Sequence, residues 1–439
     1  MTRGRRRMPR LTGPVRLIVQ AMAALLAVGA LCTAAVLGFG TARDGTAALR
    51  QAVADRAAVA AELHFALADL DAERADELIP GHAPGQPDVP VGDQVLALIT
   101  ANQRRTEISA ALRQLGGDPA QATRVRAVLD ALGRYDELSG QAQYADDQVA
   151  DPEAGRPPTP AVDLSAQAGA VMRDQLLPAV GELNRTYQRQ AASLSARVRD
   201  EERQYAVVLG VFGALALGVL VWWQRDLAVR YRRRLNPPLA VAALCVLAVV
   251  VTGAAGLLTA AGESDRATEQ GLGPWVRLAE ARTAAADAAA AQSRWFVQGP
   301  GAGAAYRDDY DAQMRRLDGL LTPGPGTSAF ELPRYAAALT SLAAVRADDA
   351  ALRRLLAAGR LDDAAVVLTD VGRGHVAFDY WDFATRLDGL EQARRADFEV
   401  RMASAGQALD GWPAVPAGTL AGAAALVLAG VRPRLAEYR

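Results

Sequence analysis

Four stretches of the chain, 17–42, 204–224, 235–262 and 411–431, contain no charged residue, and each is at least 21 residues long. A helix needs about 20 apolar residues to cross a hydrocarbon core of about 30 Å. Burying four uncharged helices of this length inside a soluble protein would demand an unusually large apolar interior, so the chain reads as a four-pass membrane protein. Alanine is abundant and aromatics make up only 5% of residues, which favours helix over sheet. The expected fold class is all-α.

The arginines orient the chain. The first 16 residues carry six Arg and no acid, residues 225–234 carry five Arg and one Asp, and residues 432–439 carry three Arg and one Glu. An excess of Arg marks the cytoplasmic side, which puts the two long segments between the membrane stretches outside the cell. The rest of the chain holds 34 Arg against 47 acids, so nucleic acid is not an expected partner. Cys32 and Cys245 both fall inside apolar stretches, so neither long segment can form a disulfide.

The plan is used twice: basic segment with proline, membrane helix, long segment, returning membrane helix. The expected organisation is a basic tail at 1–16, membrane helices at 17–42, 204–224, 239–262 and 411–431, a basic loop at 225–238 and a tail at 432–439. The first segment (43–203) and the second segment (263–410) are each expected to form a four-helix bundle of the chemoreceptor-sensor kind. In the first, Leu98, Ala101, Ile108, Leu112 and Leu115 recur at helical spacing in a stripe broken by Arg105. GGDP follows: Gly116 and Gly117 suit a left-handed helix end, Asp118 an N-cap and Pro119 a first helical turn. Two helices joined this tightly pack antiparallel. The proline-rich stretches around 79–93 and 149–160 read as loops at the far tip, and a kink is expected at Pro178. The second segment repeats the scheme, with helices over 263–297, YRDDYDAQMRRLDGLL, 334–357 and 376–409 and a helical insertion near 362–369.

Enzymatic chemistry finds no footing. The chain has no lysine, which excludes a Walker A loop, a kinase ATP lysine and a Schiff base. His64, His82 and His375 lack metal-ligand spacing, and no cofactor is expected. The apolar stretches offer no charged handle for a proton relay or ion path. The inner pieces are too short to hold an output domain, so a signal must pass to a separate protein. The residues placed to contact that protein, or anionic lipid, are Arg225, Arg230, Arg232, Arg233, Arg234, Arg432, Arg434 and Arg439. Toward the outside, HVAFDYWDF gathers four of the 24 aromatics within six residues. His375, Phe378, Tyr380, Trp381 and Phe383 are the candidate contacts there, with packing of the bundle core as the competing role.

RRRLNPPL between the second and third stretches, RPRLAEYR after the fourth and the doubled four-pass plan together resemble the membrane component of the actinobacterial amino-acid-sensing system. In that family an extracellular glutamate- and aspartate-binding lipoprotein is linked through the membrane protein to a soluble serine/threonine kinase, protein kinase G. The resemblance implies a signal relay with those two partners and supplies no ligand residue. Three alternatives stay open. Direct sensing of a small ligand predicts a polar pocket between bundle helices with converging arginines such as Arg104, Arg105 or Arg113. A structural envelope protein predicts neither a pocket nor a ligand-dependent partner. A permease-associated protein needs a cytoplasmic coupling helix for an ATPase, and the basic loop from Arg225 to Arg234 is short for that.

Overall fold

The computed structural model describes residues 13–92, 94–150, 152–231, 236–323, 327–329, 331–412 and 414–436. Apart from one small hairpin the described residues are helices, turns and loops, as alanine-rich composition dictates. Four helices are long and apolar enough to cross a membrane, with stretches at Val15–Ala52, Thr159–Val229, Pro237–Ala302 and Ala414–Arg432. The chain is thus an all-α, multi-pass membrane protein. It divides into two compact units, one of Met1–Leu49, Ser193–Arg266 and Val400–Arg439 and one of Arg50–Ala192 and Ala267–Glu399.

The first unit holds the apolar stretches of α1 (Gly13–Ala52), α6 (Leu177–Tyr231), α7 (Pro237–Arg266) and α13 (Ala414–Ala436). Its core joins Leu31, Phe39, Leu209, Leu220, Val246, Leu257 and Val427. Two glycines let the helices come close. A Cβ at Gly213 of α6 would fall 2.2 Å from the Val250 side chain of α7, and one at Gly253 would fall 2.7 Å from Leu209. Small residues at such crossings supply tight packing where no hydrophobic drive separates helix from lipid. Trp222, Trp223, Tyr205 and Trp412 read from sequence as interfacial belt residues. Trp222 is exposed, but Trp223 is buried in the core and Trp412 stacks on Phe39 with ring centroids 4.1 Å apart.

The second unit is built from both long segments. The first segment contributes α2 (Ala58–Asp76), α3 (Gln94–Leu115), α4 (Ala122–Asp147), α5 (Thr159–Val171) and the start of α6. The second contributes α8 (Gly273–Ala302), α9 (Ala304–Leu320), α10 (Leu332–Ala357), α11 (Leu361–Thr369) and most of α12 (Val376–Ala408). The break expected at QGPGAG occurs at Gly299, whose φ of 75° ends regular helix inside α8. Between α1 and α2, and again between α7 and α8, the helix widens into a π turn, Val53–Ala57 and Ala267–Leu272. The doubled plan therefore extends to the same local distortion in both copies. A third π turn, Met172–Leu176, comes just before Pro178. Pro178 has no N–H to give to the preceding turn and its ring crowds the carbonyl there, so the helix widens where the kink is expected.

Two local expectations need correction. Neither Gly116 nor Gly117 takes a left-handed conformation. The helix end is closed instead by Gly116 N–H to Leu112 O (2.9 Å), and Asp118 Oδ1 accepts the Ala120 N–H (3.1 Å) ahead of a helix that begins at Ala122. The stretch 79–93, read as a loop, contains an antiparallel hairpin, β1 (Gly81–Ala83) and β2 (Gln86–Val91). Pro84 and Gly85 (φ 70°) meet the demands of its two-residue turn. The hairpin is anchored by His82 N–H to Pro152 O (2.9 Å) and Ala154 N–H to His82 O (3.0 Å), so the two tip stretches of the first segment pair with each other.

Candidate sensing site

The polar chemistry of the second unit concentrates where α2 of the first segment lies along α8 of the second. Alanines at 281, 284, 285 and 288 keep α8 narrow and buried, which lets α2 approach and leaves long side chains to bridge the seam. At one level Arg282 donates to Glu62 (Nη1 to Oε2, 2.5 Å), and its Nη1 lies 3.7 Å from both Asp388 and Glu391 of α12. Its guanidinium sits 3.8 Å from the ring centroid of Phe65, over which Arg104 of α3 also lies at 5.0 Å. Cations over an aromatic face gain from its quadrupole, more so when shielded from water. His64 and Asp287 face each other at 3.4 Å one step along.

Further along the seam, Arg294 of α8 is 1% exposed. Its Nε donates to Asp71 Oδ2 of α2 at 3.2 Å and its Nη2 to Asp71 Oδ1, while Nη1 donates to the Ser165 carbonyl of α5 at 2.7 Å. A guanidinium fork matched to a carboxylate and a carbonyl is what a buried arginine requires. Burial pushes the Asp76 carboxyl up to about 7, against a hydrogen bond from Ser293 that lowers it. Burial, aided by Asp76 and Asp69, pushes Glu73 up to about 9. Burial likewise lifts Glu391 to about 7 despite Arg282 beside it. Apolar contacts complete the seam: Leu78, Ile79 and Ala161 share one core with Phe296, Leu352 and Leu368.

A second feature lies between α3 and α4. Arg105 pairs with Asp136 at 2.7 Å, which fixes the two helices antiparallel as expected. Toward the GGDP turn an open groove of about 930 Å³ separates them, lined by Arg105, Ser109, Leu112, Arg113, Val125 and Arg126. Among the described residues, Arg113 and Arg126 each donate to a carbonyl of their own helix, Ser109 O and Ala122 O, both at 3.3 Å. Of the arginines expected to converge, Arg105 and Arg113 line this groove. Arg104 belongs to the seam, bound to Asp69 at 2.6 Å.

The aromatic cluster of α12 is divided. Phe383 is 0% exposed and joins Leu278, Leu342 and Leu387 in the core of the second segment, so it cannot touch a partner. Tyr380 turns inward against Tyr310, and burial raises both hydroxyls above the usual tyrosine range, for Tyr310 despite the lowering effect of Arg353. Trp381 is 62% exposed and packs against Phe378 at 5.7 Å, with the Arg373 guanidinium 5.7 Å from the Phe378 ring. His375 is half-buried, its Nδ1 3.2 Å from Gly372 O and its Nε2 3.8 Å from Asp370. The candidate outward surface thus reduces to Trp381, Phe378 and His375. Among the basic candidates, Arg225 and Arg432 are exposed. The side chains of Arg230 and Arg434, and Arg232, Arg233, Arg234 and Arg439 altogether, lie outside the described residues.

Sequence reasoning missed the seam, because a charged residue on a helix is exposed by default and nothing local to Asp71 or Arg294 signals the second helix that covers them. The groups of three or more His, Cys, Asp or Glu that could hold a metal ion are absent among the described residues. Residues 45–196 match a family model described as an actinobacterial sensor domain. The matched region is about a third of the chain and includes α2, both hairpin strands, α3, α4 and α5. No curated protein and no solved structure matches the chain. The chain is a multi-pass helical membrane protein whose first long segment is similar to an actinobacterial sensor domain.

Proposed function

We propose that the protein is a transmembrane signal relay: both long segments lie outside the cell, both termini inside, and the stimulus reaches a separate cytoplasmic protein. The observation that carries this reading is the buried seam. The sensor-like segment is tied to the second segment through Arg294–Asp71 and Arg282–Glu62, so a rearrangement in one cannot leave the other unchanged. A ligand or partner shifts such an equilibrium only by binding one arrangement better than the other.

In its finer form, the stimulus is extracellular glutamate or aspartate delivered by a binding lipoprotein, and the receiver is a soluble serine/threonine kinase. Trp381 and Phe378 offer the lipoprotein an aromatic contact of the kind enriched in binding hot spots. The cytoplasmic arginines offer the kinase, or anionic lipid, a basic surface. The test is co-purification of the full-length protein from membranes with and without glutamate. The relay requires that the amount of lipoprotein or kinase retained changes with the amino acid, and an unchanged set of bound proteins sinks it. Direct sensing of a small anionic ligand is the second reading, favoured by the two arginines in the α3–α4 groove that have no carboxylate partner among the described residues.

A further inference from the structure

Glu202 of α6 lies two residues before an uncharged membrane stretch and is 0% exposed. A carboxylate removed from water needs a cation or several donors; among the described residues Glu202 pairs with no cation and has two long hydroxyl contacts, both at one oxygen. Its Oε1 is 3.4 Å from Thr46 Oγ1 of α1 and 3.4 Å from Ser264 Oγ of α7. Its Oε2 is buried with no hydrogen-bond partner. The nearby cations are held by other acids: Arg199 and Arg203 by Asp265, at 3.4 and 2.5 Å, and Arg266 and, from α12, Arg401 by Glu263. On α1 the neighbouring Arg43 and Arg50 are exposed. Asp265 and Glu201 oppose a second negative charge at the site.

The hydroxyl of Thr46 specifies which form fits. Its single proton is drawn to the nearer acceptor, Ala42 O at 2.8 Å, over Glu202 at 3.4 Å, so toward Glu202 it presents lone pairs. A lone pair is satisfied there only by a carboxylic acid that donates its proton. The helices are close at this level: a Cβ on Gly45 would stand 3.0 Å from the Val198 side chain, so water has little room to replace the missing partner. We infer that Glu202 is a proton-binding site that sets the packing of α1, α6 and α7. With the proton bound, Glu202 donates to Thr46 and accepts from Ser264, and the three helices are joined. With the proton lost, the charge must reach water or draw the Thr46 hydroxyl off Ala42, and the junction loosens. Burial lifts the Glu202 carboxyl to about 7, within the range of ordinary surroundings. The inference goes beyond the relay and does not depend on the identity of its ligand.

The test uses the full-length protein in lipid nanodiscs. Infrared difference spectra between about pH 5 and about pH 9 should contain a protonated-carboxyl C=O band that Glu202→Gln lacks, titrating near neutrality. A band set identical in wild type and variant overturns the site. At about pH 9, amide hydrogen exchange in 46–50 and 260–266 should be about tenfold faster or more in wild type than in Glu202→Gln, since each pH unit above the midpoint is a factor of ten. Equal rates overturn the link to packing. Thr46→Val keeps the carboxyl and covers the case in which Glu202→Gln fails to fold. Losing an acceptor for the neutral acid should lower the titration midpoint, and a raised midpoint would show that Thr46 donates to a carboxylate instead, which removes the basis of the proposal.

Discussion

Arg294 of α8 and Asp71 of α2 clasp each other with two hydrogen bonds across the seam between the two long segments, and neither is more than 5% exposed. Such a pair gives little net stability over apolar residues of the same shape, because desolvation offsets the attraction. Its force is conditional. Removing one partner strands the other charge, whereas removing both does not.

Arg294→Met should therefore cost about 3–5 kcal/mol, while Arg294→Met combined with Asp71→Leu should recover most of it. Chemical unfolding of the purified protein, followed on both variants, measures this. If the double variant is as unstable as the single one, the seam is held by packing and the ion pair is incidental.

Acid should strengthen the second unit. Asp76 titrates at about 7 in the fold against an ordinary 3.8, so folding favours its protonated form. The stability it contributes is fully present below its unfolded value and is lost as pH rises through about 7. Glu73 extends the same trend toward about 9. The share of Asp76 in the fall of unfolding free energy between about pH 5 and pH 8 should be on the order of 2 kcal/mol, and Asp76→Asn should reduce the slope by that amount. A slope that is unchanged in Asp76→Asn assigns the dependence to other groups.

Trp381 and Phe383 are two residues apart and should behave oppositely. Phe383→Ala opens a void in a full core and should cost about 3–5 kcal/mol. Trp381→Ala, at an exposed site, should alter stability by no more than about 0.5 kcal/mol. On the relay reading it should still weaken capture of the binding lipoprotein by tenfold or more, as loss of an aromatic anchor does. Normal capture by Trp381→Ala moves the partner surface elsewhere.

The contrast also shows what the sequence made legible. Four uncharged stretches, the GGDP turn and the Gly299 break are local signals, and each is a real boundary. Positions 380 and 383 share one helix face while 381 lies about 100° away, so periodicity could have separated the buried aromatics from the exposed one. Asp71 and Arg294 had no such signal. Charged residues on a helix are exposed by default, and only the approach of a second helix from 223 positions away turns them inward. The hairpin at 81–91 was hidden for another reason, since Pro84, Pro87 and Pro90 disguise a strand that uses few ladder bonds. The groove at Arg113 and Arg126 was half legible: Arg105 and Arg113 were visible as arginines in one helix, but Arg126 joins them only through the antiparallel turn.

Gly213 and Gly253 should resist enlargement. With Val250 2.2 Å from a Cβ at Gly213, Gly213→Ile must push α6 from α7 or distort both. Overpacking of this kind costs about 1–3 kcal/mol. Thermal unfolding in detergent should register the loss, and Gly218→Ile, where a Cβ meets nothing within 4 Å, should be tolerated. Equal tolerance at both sites would mean that the α6–α7 contact is not tight.

The arginine groove separates mediated from direct sensing. Hydrogen bonds to a charged ligand contribute about 1.5–3 kcal/mol each, so losing two donors weakens binding of a carboxylate ligand by about a hundredfold or more. If the amino acid acts through a binding lipoprotein, calorimetry of the purified protein with glutamate should show no binding. Arg113→Gln with Arg126→Gln should then leave glutamate-dependent partner capture within about twofold of wild type, because among the described residues these side chains hydrogen-bond to their own helices. Saturable glutamate binding in the absence of lipoprotein, abolished in the double variant, would transfer the sensing step to the groove. The same variant carries a control within it. Neither arginine pairs with an acid among the described residues, so its unfolding midpoint should stay within about 0.5 kcal/mol of wild type, and a loss of response cannot then be ascribed to a damaged fold.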